Sequence, residues 1–323
     1  MNTFRYFERR TLLRTFSASG FPRPSRSNKE SKRTRGRAPS LGLHSRRIEP
    51  VNTISRWLVV SVLVPLTLAA APPVTPLPNA HAHNDYEHTR PLFDALDQGF
   101  GSVEADIYLV EDHLLVAHDR SQVKPERTLQ ALYLEPLRAR VKANKGRVHP
   151  GLAQFYLLID IKTDAVKTYE VLRGVLKEYG ELFTVFRADR TETNAVTAVI
   201  SGNRPRELLA AEDPRLAALD GRLPDLEGPL NRHVIPWISE SWSSQFKWRG
   251  AEEMPNDELD KLRKIVSTAH AQGRKVRFWG APDDPQLWHV QLAVEVDLIN
   301  TDKLAELRKF LLGVSGAPSE TRP

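Results

Sequence analysis

From about residue 75 to residue 312 the chain alternates short apolar runs with amphipathic stretches, and this alternation narrows its possible folds more than any other feature. Strand-like runs are expected at 78–82, 101–109, 113–117, 155–161, 182–187, 196–200, 233–238, 274–279 and 296–300. Helical patterns are expected at 90–98, 125–142, 164–179, 204–211, 256–272, 285–293 and 302–312. In the stretch 256–272, Leu259, Leu262, Ile265, Val266 and Ala269 recur at the helical period, and Gly273 stands where a left-handed C-cap belongs. The run Phe155-Tyr-Leu-Leu-Ile-Asp160-Ile161 is apolar at successive positions, as in a parallel strand covered on both faces. Strand and helix in turn over roughly 240 residues predict an α/β fold, a (β/α)8 TIM barrel, with a doubly wound open sheet as the alternative. The barrel is expected as a single domain over residues 72–313, with a flexible tail at 314–323. No glycine-rich loop follows a strand, so a dinucleotide or P-loop nucleotide site is not indicated.

The chain has no cysteine, which excludes disulfides, thiolate metal sites and cysteine nucleophiles. Its formal charge of +6 comes from one end. Residues 1–50 carry 13 Lys and Arg against 3 Asp and Glu; of the 46 and 40 in the whole chain, the remainder keeps 33 and 37. The body is therefore mildly acidic, and no nucleic-acid partner is expected. Residues 1–50 read as a basic disordered segment, arising from a misassigned start or serving as a transit segment. Residues 51–71 read as a signal peptide, with Arg56 before an uncharged apolar run that closes on Leu68-Ala-Ala-Ala71. Secretion or periplasmic export is the expectation, and a mitochondrial destination the alternative.

Polar residues cluster at the ends of the apolar runs. His81-Ala-His83-Asn84-Asp85-Tyr86 comes first, then Glu104-Ala-Asp106, then Val116-Ala-His118-Asp119, and later Asp160-Ile-Lys162. Residues two apart on a strand share a face, so Glu104 with Asp106, and Asp160 with Lys162, point the same way. In a barrel, strand C-termini converge on one mouth. Three carboxylates without thiols suit one hard divalent cation, Mg2+ or Ca2+.

In order, strand–His, Glu-x-Asp, an apolar–His–Asp with its histidine fourteen residues after the Glu, and carboxylate-x-Lys resemble the glycerophosphodiester phosphodiesterases and phosphatidylinositol-specific phospholipases C. The His-Asn-Asp-Tyr wording resembles an uncharacterised branch of that superfamily, and Asp-x-Lys resembles its sphingomyelinase-D-like members. The resemblance implies Glu104, Asp106 and Asp160 as metal ligands and His118 as the second catalytic histidine. His81, nearest the expected strand end, is favoured as the first, with His83 as the alternative. It implies a small-molecule or lipid phosphodiester as substrate and no obligate protein partner.

A cation at the acids would offset charge built on phosphorus, with Lys162 on another oxygen, while histidines move protons. Asn84, Trp279, Asn300 and Asp302 are candidate substrate contacts. Ser201-Gly-Asn203-Arg204 reads as a phosphate contact or an ordinary turn. Trp237, Trp242, Phe246 and Trp248 read as a lipid-facing rim, giving peripheral membrane contact, or as a packed loop. Two other classes stay open: a zinc amidohydrolase-like enzyme drawing on the His-x-His pair, His233 and Asp302, and a non-catalytic binding protein on the same barrel.

Overall fold

The computed structural model of the chain describes residues 74–315; the expected leader at 51–71, the basic segment 1–50 and residues 316–323 lie outside them. Eight parallel strands follow one another around a ring in chain order: β1 Leu77–Ala82, β2 Phe100–Val110, β3 Phe155–Ile161, β4 Val196–Gly202, β5 Ala217–Gly221, β6 Trp237–Ser241, β7 Lys275–Trp279 and β8 Ile299–Thr301. β8 returns to β1 through Ala80–Ile299, His81–Asn300 and Ala82–Thr301. A single bridge, Arg277–Leu298, joins β7 to the segment entering β8, so the ring is nearly closed. This is the (β/α)8 barrel, not the open sheet.

Helices stand between most strands: α1 Phe93–Asp97, α2 Glu135–Ala143, α3 Ala165–Glu178, α4 Arg206–Ala211, α5 Trp242–Gln245, α6 Asn256–Ala271, α7 Pro285–Ala293 and α8 Leu304–Ser315. α8 thus runs two residues past the expected end of the body at Gly313. α3 starts where the Asp164 carboxylate accepts from Lys167 N at 2.9 Å, and it buries Tyr169, Leu172 and Leu176 at helical spacing. α6 stops at Gly273, whose φ of +67° continues the chain in the left-handed region. No described helix is long and apolar enough to cross a membrane.

β3 shows how the strands divide the core. Phe155, Leu157, Ile159 and Ile161 join the large apolar layer under the helices. Leu158 instead packs with Val199, Trp237 and Leu298, a small second cluster with Tyr156 against it. Alternation along each strand therefore fills the ring with side chains. Trp237 lies edge-on to the His81 ring at 6.4 Å between centroids, so this cluster underlies the polar groups above it.

Three expectations need correction. β5, Ala217-Ala-Leu-Asp-Gly221, falls in a stretch with no expected strand, because alanine, aspartate and glycine are poor strand formers. The glycine is required: a Cβ on Gly221 would come within 2.5 Å of Ile235 Cγ2. The run 182–187 is outside the ring; only Val185–Phe186 extends, paired antiparallel with Thr191–Glu192. The run 113–117 does form a strand, His113–Val116, which lies outside the ring as a hairpin folded back on the outer end of β2. β6 begins at Trp237 rather than near 233, since Val234 N and Ile235 N both donate to Asn231 O in a turn and Pro236 has no N–H.

His149 is buried at the start of β2, with Nε2 donating to Phe100 O at 3.0 Å. Burial, aided by Arg140, lowers its pKa to about 4. The folded chain thus resists a proton that the unfolded chain takes up near pH 6.5. Its contribution is intact above pH 6.5 and lost as pH falls towards 4, by up to about 3 kcal/mol. His149→Gln should flatten the fall in stability between pH 6.5 and 4 in urea unfolding; an unchanged slope would contradict the assignment.

Candidate active site

The strand register builds the site. Asp106 on β2 lies opposite Asp160 on β3, and Asp160 lies opposite Ser201 on β4. Glu104, two residues before Asp106, shares its face. One carboxylate oxygen from each of Glu104, Asp106 and Asp160 falls within 4.8 Å of the others, and among the described residues this is the grouping of metal-ligand type. Gly202 permits this approach. Its φ is +64°, and a Cβ there would lie 2.2 Å from Asp160 Oδ1 and 2.5 Å from Ile161 O.

Three like charges this close need compensation. Lys162 Nζ bridges Asp106 Oδ2 at 2.9 Å and Asp160 Oδ1 at 3.1 Å. Arg277, buried on β7, donates Nη2 to Glu104 Oε2 at 3.0 Å and Nε to Asn300 Oδ1 at 2.9 Å. Burial pushes the Glu104 carboxyl up, but Arg277 and His81 outweigh it and hold the pKa well below the carboxylate range. Asp106 goes the other way: burial, then the charge of Glu104, push it up to about 7. Its Oδ1 is buried with no hydrogen-bond partner. A buried orphan acceptor beside two further carboxylates fits a hard divalent cation bound through oxygen.

The early histidines occupy different places. His81 is 0% exposed; its Nδ1 meets Ser102 Oγ at 2.7 Å and its Nε2 meets Glu104 Oε2 at 3.3 Å. Burial, reinforced by Arg277, lowers its pKa to about 4. Both ring nitrogens are engaged, and the ring lies over Trp237. His83 is partly open. Its Nδ1 pairs with Asp302 Oδ1 at 2.8 Å, and Asn84 Nδ2 lies 3.0 Å from the same nitrogen. Burial opposes charge on His83, yet the Asp302 bond and the Glu104 charge prevail and raise its pKa.

His118 is carried in by the hairpin, where Ala117 N donates to Asp106 O at 3.2 Å. Its side chain is 48% exposed and its Nδ1 lies 3.7 Å from Asp106 Oδ2. Tyr86 is the hub on this flank. Its hydroxyl lies 2.6 Å from Asp106 Oδ2, 2.7 Å from Asn84 Oδ1 and 3.0 Å from His118 Nδ1. A phenol has one proton, and two oxygens compete for it. With the phenol proton given to one of them, His118 Nδ1–H is the donor that suits the phenol oxygen, and Nε2 is turned away from this bond.

The structure thus gathers Glu104, Asp106, Asp160, Lys162, His83, His118, Asn84 and Asp302 at one mouth. Asn300 is buried under Arg277. Trp279 ends β7, but one face of its indole carries the Arg222 guanidinium at 4.6 Å. Arg204 donates to Asp220 O, so the turn at Ser201–Arg204 braces β5. The aromatic group does not form a rim. Trp242 and Phe246 pack on Phe278, and the indole N–H groups of Trp242 and Trp248 donate to Trp248 O and Ala251 O. The zinc constellation is not assembled either. His233 binds Thr191 Oγ1 at 2.9 Å ahead of β6, at the opposite end of the barrel. Sequence reading passed over Tyr86 and Arg277. Tyr86 lay inside the His-Asn-Asp-Tyr cluster, and Arg277 precedes Trp279 by the two residues that place both on one face.

A family model described as the AIM6-like phosphodiesterase domain matches residues 70–218, and one for the glycerophosphoryl diester phosphodiesterase family matches residues 275–305. Altered inheritance of mitochondria protein 6 of Eremothecium gossypii is 30% identical over 271 residues, covering 72% of this chain and 69% of the relative. The chain belongs to this family. Its homologue in Arthroderma benhamiae is 28% identical over 259 residues, covering 71% of this chain and 82% of the relative. Among solved structures, a calcium-dependent phosphoinositol-specific phospholipase C from a Pseudomonas species aligns at 13% identity and a TM-score of 0.49, over 72% of this chain and 91% of that one. Between them the two family matches take in Glu104, Asp106 and Asp160, and Arg277 and Asn300.

Gly202→Ala should cost about 2–4 kcal/mol in urea unfolding, because strain at positive φ adds to contacts with Asp160 and Ile161. A change below about 0.5 kcal/mol would show that Asp160 does not need this gap.

Proposed function

We propose that this phosphodiesterase-domain protein hydrolyses a small phosphodiester at the barrel mouth, using one divalent cation, Mg2+ or Ca2+. The observation that carries the proposal is the carboxylate cluster of Glu104, Asp106 and Asp160 with a partly open histidine on either side. Those three residues would hold the cation, which when bound supplies positive charge to offset the charge gathering on phosphate oxygens. Lys162 offers a second cation to the same oxygens.

His83 and His118 divide the proton transfers. His118, with Nδ1–H on Tyr86, presents a lone pair at Nε2 and acts as base towards the attacking hydroxyl or water. His83, its pKa raised by Asp302 and Glu104, keeps a proton to hand to the leaving oxygen. Groups whose environments push their affinities for protons apart are suited to these roles. His81, buried with both nitrogens used, holds Glu104 in position. Asn84 fixes the space between His83 and Tyr86 and stands available to the substrate.

The leader is assigned to mitochondria rather than to secretion, since the curated relatives are named for mitochondrial inheritance and residues 1–50 are basic. A full-length fusion found in the culture medium would contradict that assignment.

The test is turnover of a glycerophosphodiester panel by the full chain. Activity should require Mg2+ or Ca2+ and vanish with EDTA. His83→Ala and His118→Ala should each lower kcat by about 100-fold or more, with unfolding midpoints retained. Cleavage undiminished by EDTA, or full activity in His118→Ala, would reject the proposal.

A further inference from the structure

Beside the acidic half of the mouth lies a cationic half that the proposed reaction leaves unused. Asp220, at the end of β5, is fully buried and ties two arginines. Its Oδ2 accepts from Arg222 Nη1 at 2.7 Å and from Ser201 Oγ at 2.8 Å, and its backbone carbonyl accepts from Arg204. Arg222 thus takes the carboxylate, and Arg204 is left with a backbone carbonyl. Burial and the neighbouring charge of Arg222 lower the pKa of Arg204, as expected where one positive charge is left uncompensated. Arg206, beyond them, is neutralised by Asp225.

Arg222 is the organised member. Its guanidinium lies over the Trp279 ring, 4.6 Å from the centroid, and reaches back over β4, with Nη2 3.4 Å from Ser201 Oγ. Its Nε has no partner among the described residues. Because Ser201 is the register neighbour of Asp160, this guanidinium stands about one strand spacing, roughly 5 Å, from the strand of the nearest metal-ligand candidate. From Lys162, an open depression of about 740 Å³ continues over Thr163, Gly202, Asn203 and Arg204. The Arg222 cation also covers a face of Trp279 that a choline or ethanolamine head group would otherwise use, so amine head groups meet repulsion.

We propose that Arg222, with Arg204, forms a second anion subsite, and that the preferred substrate is a phosphodiester of a small polyol carrying a further phosphate. The proposal rests on the phosphodiesterase reading and names the substrate class of that site. The fixed fork of Arg222 matches a phosphate in two-point fashion, whereas Lys162 supplies only a point charge at the reacting group.

The test reads binding, so it does not depend on turnover. Calorimetry on the full chain in Mg2+ compares glycerol 1,3-bisphosphate with glycerol 3-phosphate. The bisphosphate should bind at least tenfold more tightly. Arg222→Gln should reduce that ratio to below threefold. Arg222→Lys, which keeps a charge beside Asp220 should the glutamine variant fail to fold, should reduce it to a similar extent. Equal affinities in the native chain, or a ratio unchanged in Arg222→Lys, would overturn the proposal. Loss of all phosphodiesterase activity elsewhere in the panel bears on the reaction and leaves this ratio as its own test.

Discussion

Everything at the mouth depends on holding Glu104, Asp106 and Asp160 together against their mutual repulsion. At the observed separations, and with an effective dielectric constant of about 20, each pair of ionised carboxylates costs roughly 3 kcal/mol. No fold accepts that without compensation. Here it comes from Lys162 across Asp106 and Asp160, and from Arg277 on Glu104. One oxygen of Asp106 still lacks a partner. The arrangement is nearly but not fully neutralised, which is the condition under which a divalent cation gains most by entering.

The barrel supplies this geometry through register. Parallel pairing sets Asp106, Asp160 and Ser201 at one height on three successive strands. The hairpin after β2 then folds back to bring His118 to the same height, while the ends of β1 and β8 bring in His83 and Asp302. Below them His81 and the Trp237 cluster close the floor. The candidate site thus lies on the side of the ring where strand ends and loops meet.

Much of this was legible in the sequence, and the limits have physical causes. Residues two apart on a strand must share a face, so Glu104 with Asp106 and Asp160 with Lys162 could be paired without coordinates. The apolar run of β3 declared a strand buried on both faces. β5 could not be read, because its residues are poor strand formers and its glycine, Gly221, answers to crowding by Ile235 and Ile238, neighbours distant in sequence. His81 and His83 could not be separated by spacing, since both face the mouth. Depth separates them: the inner ring is enclosed by Ser102, Glu104 and Trp237, and the outer one reaches Asp302. The roles of Tyr86, Arg277 and Arg222 are likewise set by partners on other strands.

Cation binding to the full chain, measured by calorimetry with Mg2+ and with Ca2+, tests the central claim most directly. One site per chain is expected for the native protein, with affinity reduced at least tenfold in Asp160→Asn. Absence of saturable binding, or the same affinity in Asp160→Asn as in the native chain, would contradict the account that these three acids are gathered to hold one ion.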